Sequence, residues 1–234
     1  MISWMKKLPF FLFPPTCLLC GAPGQVERDL CIGCEADLPR NTNPCRRCAQ
    51  PLDNTITAGL VCGRCLSESP PFQDSFVPFL YQYPMDYLVQ GLKFHGRLTH
   101  ARLLCELLAA ALVQRETALP ECIIPVPLHP GRLRERGFNQ ALELARPIAR
   151  RLGVPLVSKG IQRIRQTPPQ SSLDLKARRS NVRGAFRVSR ALAAQRVAII
   201  DDVVTSGNTV TEFAHVLGEA GAESIEIWAV ARTP

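Results

Sequence analysis

The segment from Val197 to Val210 reads VAIIDDVVTSGNTV, a branched apolar run, two adjacent carboxylates, a turn of small residues around one glycine, and a helix start. Asp201 and Asp202 are suited to accept hydrogen bonds from hydroxyls, or to hold a magnesium ion through water. The turn supplies the complementary chemistry. Main-chain N–H groups at a helix start are unpaired and point outward, and the helix dipole adds partial positive charge there. Gly207 permits close backbone approach, while Thr205, Ser206 and Thr209 add hydroxyl donors. Acids for hydroxyls beside a cradle for phosphate describe a site for a phosphorylated sugar. An N-capped helix after an acidic turn is the simpler alternative. A cap, however, needs one such side chain, and here two acids and three hydroxyls converge on a glycine.

A second chemistry occupies the N-terminal part. Eight of the ten cysteines form four Cys-x-x-Cys pairs, Cys17/Cys20, Cys31/Cys34, Cys45/Cys48 and Cys62/Cys65, with spacers of ten, ten and thirteen residues. Each turn converges two thiolates on a tetrahedral ion, and two turns close a four-sulfur site with no open position. Eight ligands imply two structural zinc ions, since disulfides would not persist in a reducing compartment. Between Pro14 and Pro71 apolar periodicity is sparse, so metal must supply much of the folding energy. Sequential pairing closes the shortest loops. A cross-braced arrangement uses the same residues, and spacing does not choose between them. Cys105 and Cys122 lie in apolar helical and strand patterns and read as core.

These groups need a scaffold. The chain has 234 residues, 46% of them apolar and 21% charged, which suits a globular protein with a sizeable core. The apolar run from Leu8 to Phe13 is broken by Pro9 and lacks a cleavage site, and nothing approaches a membrane span. These features exclude membrane insertion and predict a cytoplasmic protein. Charge is uneven: Gly131 to Arg190 holds fifteen basic and three acidic residues, a net of +12, which points to an anionic partner. Two parts are expected, a double zinc-binding unit over 14–70 and an α/β domain over 71–234. In the latter, FVPFLYQY, ECIIPVP, VPLVS, RVAII and SIEIWAVAR read as strands. MDYLVQGLKF, HARLLCELLAAALVQRE, FNQALELARPIARRLG and NTVTEFAHVLGEAG read as helices. Such alternation predicts an α/β layer with a mainly parallel sheet and ligands at the carboxyl ends of its strands.

The stretch IIDDVVTSGNT resembles the phosphoribosyl-pyrophosphate signature of the type I phosphoribosyltransferases. The four cysteine pairs, LKFHG (Leu92 to Gly96), PVPLHPGRLRERGFNQ (Pro125 to Gln140) and the run from Arg165 to Phe186 extend the likeness. Together they are similar to the ComF/GntX family over essentially the whole chain, a family associated with DNA uptake in natural transformation. The resemblance implies a type I phosphoribosyltransferase-like sheet flanked by helices, behind a small zinc-ribbon-like domain. It implies that Asp201 and Asp202 bind the ribose 2- and 3-hydroxyls, and that Thr205, Ser206, Gly207, Asn208 and Thr209 hold the 5-phosphate. Leu128, His129, Pro130 and Gly131 would take the pyrophosphate with magnesium bridging it, and Arg132 and Arg136 would neutralise that charge. The stretch QRIRQTPPQSSLDLKARRSNVRG would be the loop that closes over the reacting centre.

The implied reaction is phosphoribosyl transfer to a nitrogen nucleophile on an acceptor that no loop identifies. A non-catalytic reading also stands, in which phosphoribosyl pyrophosphate or a related nucleotide is sensed while the basic stretch and zinc domain engage single-stranded DNA. Phe138 and Phe186 are the only aromatics in that stretch, few for stacking on bases. His129 is a candidate ligand contact and His95 a lesser one, while His100 and His215 look like ordinary helix residues.

Overall fold

The computed structural model describes residues 14–53, 59–166 and 182–234. In chain order the elements are α1 (Ile32–Ala36), α2 (Gly63–Ser67), β1 (Asp74–Phe76), β2 (Phe79–Leu80), α3 (Met85–His95), α4 (Leu98–Val113) and β3 (Cys122–Pro125). They continue with α5 (Pro130–Arg136), α6 (Gln140–Leu152), β4 (Ile161–Arg163), β5 (Phe186–Val188), β6 (Arg196–Val204), α7 (Asn208–Glu219) and β7 (Ser224–Arg232). β3, β6 and β7 lie side by side, with β1 and β2 on the far edge of β7, and every pairing in this sheet is parallel. A parallel sheet must be covered on both faces, so its central strands carry near-continuous apolar runs, such as Val197–Ile200 and Ile227–Ala231, rather than alternating ones. Ala198, Ile200, Trp228 and Val230 pack with α3, α4 and α6, whereas Val197, Ile199, Ile225 and Ile227 pack with α7 and Phe186 of the antiparallel β4–β5 ribbon. The expected α/β sheet flanked by helices is what forms.

Three expectations are revised in detail. The strand read over Phe76 to Tyr83 is cut at Val77–Pro78, because proline has no N–H to donate. β1 and β2 nonetheless keep one register on β7, with Phe76 opposite Trp228 and Phe79 opposite Ala231. The VPLVS strand reduces to a single bridge between Leu156 and Ile123 at the sheet edge. RVAII is too short: β6 runs on to Val204, because β7 offers partners as far as Arg232.

Helix packing explains several side chains. Asn139 caps α6 by accepting from the N–H groups of Ala141 and Leu142, and Gly153 ends it in the left-handed region. Pro147 lies inside this helix, so the Glu143 carbonyl loses its usual donor. The Cys105 thiol of α4 approaches that carbonyl at 3.6 Å and the Leu144 carbonyl at 3.5 Å. Burial pushes Cys105 up to about 12 and Cys122 up to about 11, as inert core thiols require. His100 is more than an ordinary helix residue. It is buried, its Nδ1 lies 3.0 Å from the Leu88 carbonyl, and its ring fills the space that a side chain at Gly91 would need. This contact locks α3 onto α4.

The eight cysteines gather sequentially, Cys17, Cys20, Cys31 and Cys34 in one group and Cys45, Cys48, Cys62 and Cys65 in the other, each with all Sγ atoms within 4.8 Å. Sulfurs 3.7 Å apart, Cys20 to Cys31 and Cys48 to Cys62, match the edge of about 3.8 Å set by a tetrahedron with Zn–S of about 2.3 Å. Both sites begin with the same turn: Gly21 N donates to Cys17 O at 2.9 Å and Ala49 N to Cys45 O at 2.8 Å. The residue after each turn is left-handed, at φ 76° for Gly21 and 56° for Ala49. The chain therefore carries two tetracysteine zinc-binding sites. They differ in support. Cys17 joins the main core with Leu30 and Leu38, whereas the second site's buried cluster is Cys45, Cys48 and Cys65, with Leu52, Val61 and Cys62 packed against it. Among the described residues no helix is long and apolar enough to cross a membrane. Cys20 is exposed and Cys31 and Cys34 are half-buried, whereas Cys45, Cys48 and Cys65 are buried, so a zinc chelator under reducing conditions should open the first site first. Limited proteolysis should then cut around Cys20 and Cys31 before it cuts around Cys48, and equal cutting at both sites would contradict this account.

Candidate functional site

Asp201 and Asp202 lie near the carboxyl end of β6, inside the strand rather than beyond it. Each carboxylate folds back on the backbone: Asp201 Oδ1 accepts from Asp202 N, and Asp202 Oδ1 from Val203 N, both at 2.9 Å. Asp202 is only 2% exposed, and its Oδ2 faces the Lys93 ammonium of α3 at 2.9 Å. Burial pulls Lys93 down, but Asp202 and then Asp201 outweigh it and hold the ammonium above its ordinary value. Burial, and then the charge of Asp202, push the Asp201 carboxyl up to about 7, with Lys93 opposing. Arg136 and Arg163 complete the positive surround. Burial lowers both guanidinium pKa values, and the aspartate charges oppose the shift, Asp202 and Asp201 at Arg136 and Asp201 at Arg163.

The turn after β6 passes through Thr205, which is exposed, to Ser206, Gly207, Asn208 and Thr209, which are half-buried. Gly207 occupies the N-cap position of α7 at φ 81°, and Asn208 N donates to Ser206 Oγ at 3.5 Å. The helix thus opens on a glycine turn that follows the carboxylates in sequence.

Across the sheet edge, Leu128 and His129 lie in the loop after β3, whereas Pro130 and Gly131, expected in the same loop, already form the first turn of α5. Proline suits that position because its missing N–H has no partner there in any case. His129 caps the helix, its Nδ1 accepting from Gly131 N at 3.1 Å, so its proton is assigned to Nε2. A Cβ at Gly131 would lie 2.9 Å from the end of the exposed Gln166 side chain and 3.1 Å from His129 Nδ1. Arg136 Nη1 donates to Gln140 Oε1 at 2.6 Å, while Arg132 pairs with Glu135 at 3.3 Å on the helix surface. His95 and His215 are exposed. The stretch expected to close over the site lies largely at 167–181, outside the described residues, and the β4–β5 ribbon flanks it.

Four basic residues at the site escaped sequence reading as participants. Lys93 comes from LKFHG, on a helix whose neighbouring Leu88, Val89 and Leu92 are buried. That apolar setting was the available signal. Arg163 sits over the Phe186 ring at 5.4 Å. Arg232 follows the apolar run Ile227–Ala231 at the end of β7, and a charge closing that run was its signal. Its guanidinium, 2% exposed, donates to Cys48 O at 3.2 Å, Val204 O at 3.0 Å, Thr205 O, Thr233 O at 3.0 Å and Gln50 Oε1 at 2.6 Å. Arg64, between two cysteine ligands, donates to Ser206 O at 3.2 Å. Nothing in its local sequence foretold that contact across 142 residues.

Comparison with known proteins accords with this geometry. Residues 10–66 match the double zinc ribbon domain, and residues 139–234 match the phosphoribosyl transferase domain. The chain is 35% identical over 225 residues to the DNA utilization protein YhgH of Salmonella typhi, covering 94% of this chain and 98% of that protein. It is 32% identical over 231 residues to Competence protein F of Haemophilus influenzae, covering 95% and 98%. Among solved structures, a purine phosphoribosyltransferase from Pyrococcus horikoshii Ot3 overlaps 57% of this chain and 83% of its own, at 21% identity and a TM-score of 0.35, too low to add weight. A double zinc ribbon ahead of a phosphoribosyltransferase-type α/β fold, with such identity across nearly the full length, places the chain in the competence protein F (ComF) and YhgH family.

Proposed function

We propose that the protein binds phosphoribosyl pyrophosphate with magnesium at the end of β6, and that it acts in DNA uptake or utilization. The observation that carries this reading is the juxtaposition of the glycine-led start of α7 with the Asp201–Asp202 pair. One half suits a phosphate and the other a pair of ribose hydroxyls. The names of the full-length relatives, DNA utilization protein and competence protein, support the cellular role. The division into a zinc unit over 14–70 and a ligand-binding domain over 71–234 is part of the same reading.

Asp201 and Asp202 accept the ribose 2- and 3-hydroxyls, and Thr205 to Thr209 hold the 5-phosphate. Leu128 to Gly131 receive the pyrophosphate, with Arg136 and Arg132 supplying positive charge. The magnesium carried by the pyrophosphate suits hard oxygen donors such as these carboxylates and would neutralise charge on the leaving group. The chemistry is departure of pyrophosphate with positive charge developing on the ribosyl carbon, then attack by a nitrogen nucleophile. The protein's contribution is electrostatic, through cations that meet the departing phosphates. A second reading, in which the ligand is sensed and single-stranded DNA is held by the basic stretch and zinc domain, draws support from the net charge of +12 between Gly131 and Arg190.

Calorimetry with phosphoribosyl pyrophosphate and magnesium tests the site. Wild type should bind, and Asp201→Asn should bind more weakly by roughly tenfold or more, on the scale of one charge-assisted hydrogen bond. Unaltered affinity in that variant would refute the assignment. Asp202→Asn is a poorer probe, because it also strands the Lys93 ammonium. Pyrophosphate release with an acceptor present separates the catalytic from the sensing reading.

The same variant has an opposite effect on stability. Asp201 moves from an ordinary 3.8 to about 7 in the folded protein, so between these values the folded state keeps a proton that the unfolded chain loses. Stability should therefore fall as pH rises through that window. Thermal unfolding at pH 8 should find Asp201→Asn more stable than wild type by roughly 4 kcal/mol, since the rise from 3.8 to about 7 is about three tenfold changes in proton affinity, each worth about 1.4 kcal/mol. Near pH 4 the two should melt together. For DNA, neutralising Arg178 and Arg179, which lie outside the described residues, should flatten the salt dependence of single-strand affinity by roughly 0.7 per arginine on logarithmic axes.

A further inference from the structure

The turn that follows β6 is held from behind by two guanidinium groups, Arg64 from the second zinc ribbon and Arg232 from β7, which hydrogen-bonds that ribbon. Three consecutive carbonyls are involved: those of Val204 and Thr205 accept from Arg232, and that of Ser206 accepts from Arg64. In a planar trans peptide the N–H points opposite to the C=O. Guanidiniums on these carbonyls therefore turn the N–H groups of Thr205, Ser206 and Gly207 to the other side of the turn. A cation on each carbonyl also polarises the peptide and strengthens its N–H as a donor. Arg232 reaches back to Cys48 O and Gln50 Oε1 beside the second tetracysteine site. Arg64 lies on α2 between Cys62 and Cys65 of that site, so the knuckle that holds these sulfurs also aims its guanidinium. Its Nη2 would be 3.8 Å from a Cβ at Gly207, the residue whose φ of 81° makes the turn. Arg64 is itself exposed and lines a cavity of about 310 Å³ together with Cys65, Ser206, Gly207, Asn208 and His215. It fills no core position.

We propose that Arg64 is a positioning residue of the 5-phosphate cradle, through which the second zinc ribbon forms part of the ligand site. The proposal rests on the reading of the Thr205–Thr209 turn as the phosphate-holding element. Arg64 itself does not touch the phosphate. It fixes the Ser206–Gly207 peptide so that its N–H is presented to a phosphomonoester and carries more positive charge. The ligand class affected is any sugar 5-phosphate, and pyrophosphate, received at Leu128 to Gly131, is outside its reach.

Calorimetry on the full zinc-loaded chain, with ribose 5-phosphate and separately with magnesium pyrophosphate, separates the possibilities. Arg64→Ala should weaken ribose 5-phosphate binding by about tenfold, the size of one hydrogen bond to a charged group. It should keep its pyrophosphate affinity, zinc content and melting temperature. Arg64→Lys, which retains charge without the planar fork, should recover part of the loss. If Arg64→Ala binds ribose 5-phosphate like wild type, the positioning role is wrong and the phosphate assignment stands. Equal loss of both ligands, or loss of zinc, would make Arg64 a structural residue only and overturn the proposal. Wild type that binds pyrophosphate but no ribose 5-phosphate would remove the phosphate assignment itself, and the proposal with it.

Discussion

Burying a strand whose end carries two negative charges is the constraint from which most of the architecture follows. β6 lies between β3 and β7, covered on both faces, and that makes its end rigid. Rigidity brings desolvation, and an ionised carboxylate as buried as Asp202 is destabilising by several kcal/mol without a partner. Lys93 meets that need from α3, while Arg136 from α5 and Arg163 from β4 add positive potential from two further directions. The placement of α3 therefore matters to the site as much as the strand does. It is secured by small-scale packing, with the His100 ring of α4 seated against Gly91. Asp201, left with less compensation, keeps a raised proton affinity, the kind of local instability that binding sites retain.

Arg232 poses the same problem with the opposite sign. Its buried cation is satisfied mostly by main-chain carbonyls, those of Cys48 in the second zinc knuckle, Val204 and Thr205 at the end of β6, and Thr233, with Gln50 Oε1 as the one side-chain acceptor. A carbonyl can serve in this way only where its backbone is held, and around Cys48 the metal site does the holding. The zinc ribbons are consequently continuous with the α/β core. The backbone of the first site's neighbourhood also joins the sheet edge, where Asn41 N donates to Pro78 O at 2.9 Å and Leu80 N to Pro39 O at 2.7 Å. Ser75 N does the same with Arg46 O at 2.9 Å on the second ribbon. The interrupted edge strand is thereby covered, which protects its unpaired main-chain groups from other chains.

Much of this was legible in the residues. Cysteine spacing announced two four-sulfur sites because ligand geometry is local, two residues per turn. Helices and central strands announced themselves through apolar period, and the loop after β6 through a glycine flanked by hydroxyls. The readings that needed revision involve backbone whose partner is remote. Whether RVAII stops at Ile200 or continues to Val204 depends on how far β7 extends beside it. The strand expected at VPLVS has a single bridge to β3 to hold it.

From the chain alone came the chemistry on offer: eight thiolates in pairs, two acids at a strand end, a glycine turn opening a helix, and a basic middle segment. Those are properties of neighbours in sequence, set by spacing and residue type. Tertiary structure alone decided which cysteine pairs share a site, which cations answer the aspartates, and that Arg64 and Arg232 grip the turn from behind. These contacts join residues as much as 184 positions apart. Their existence depends on how sheet, helices and ribbons settle against one another, and no local pattern of charge or apolarity encodes that packing.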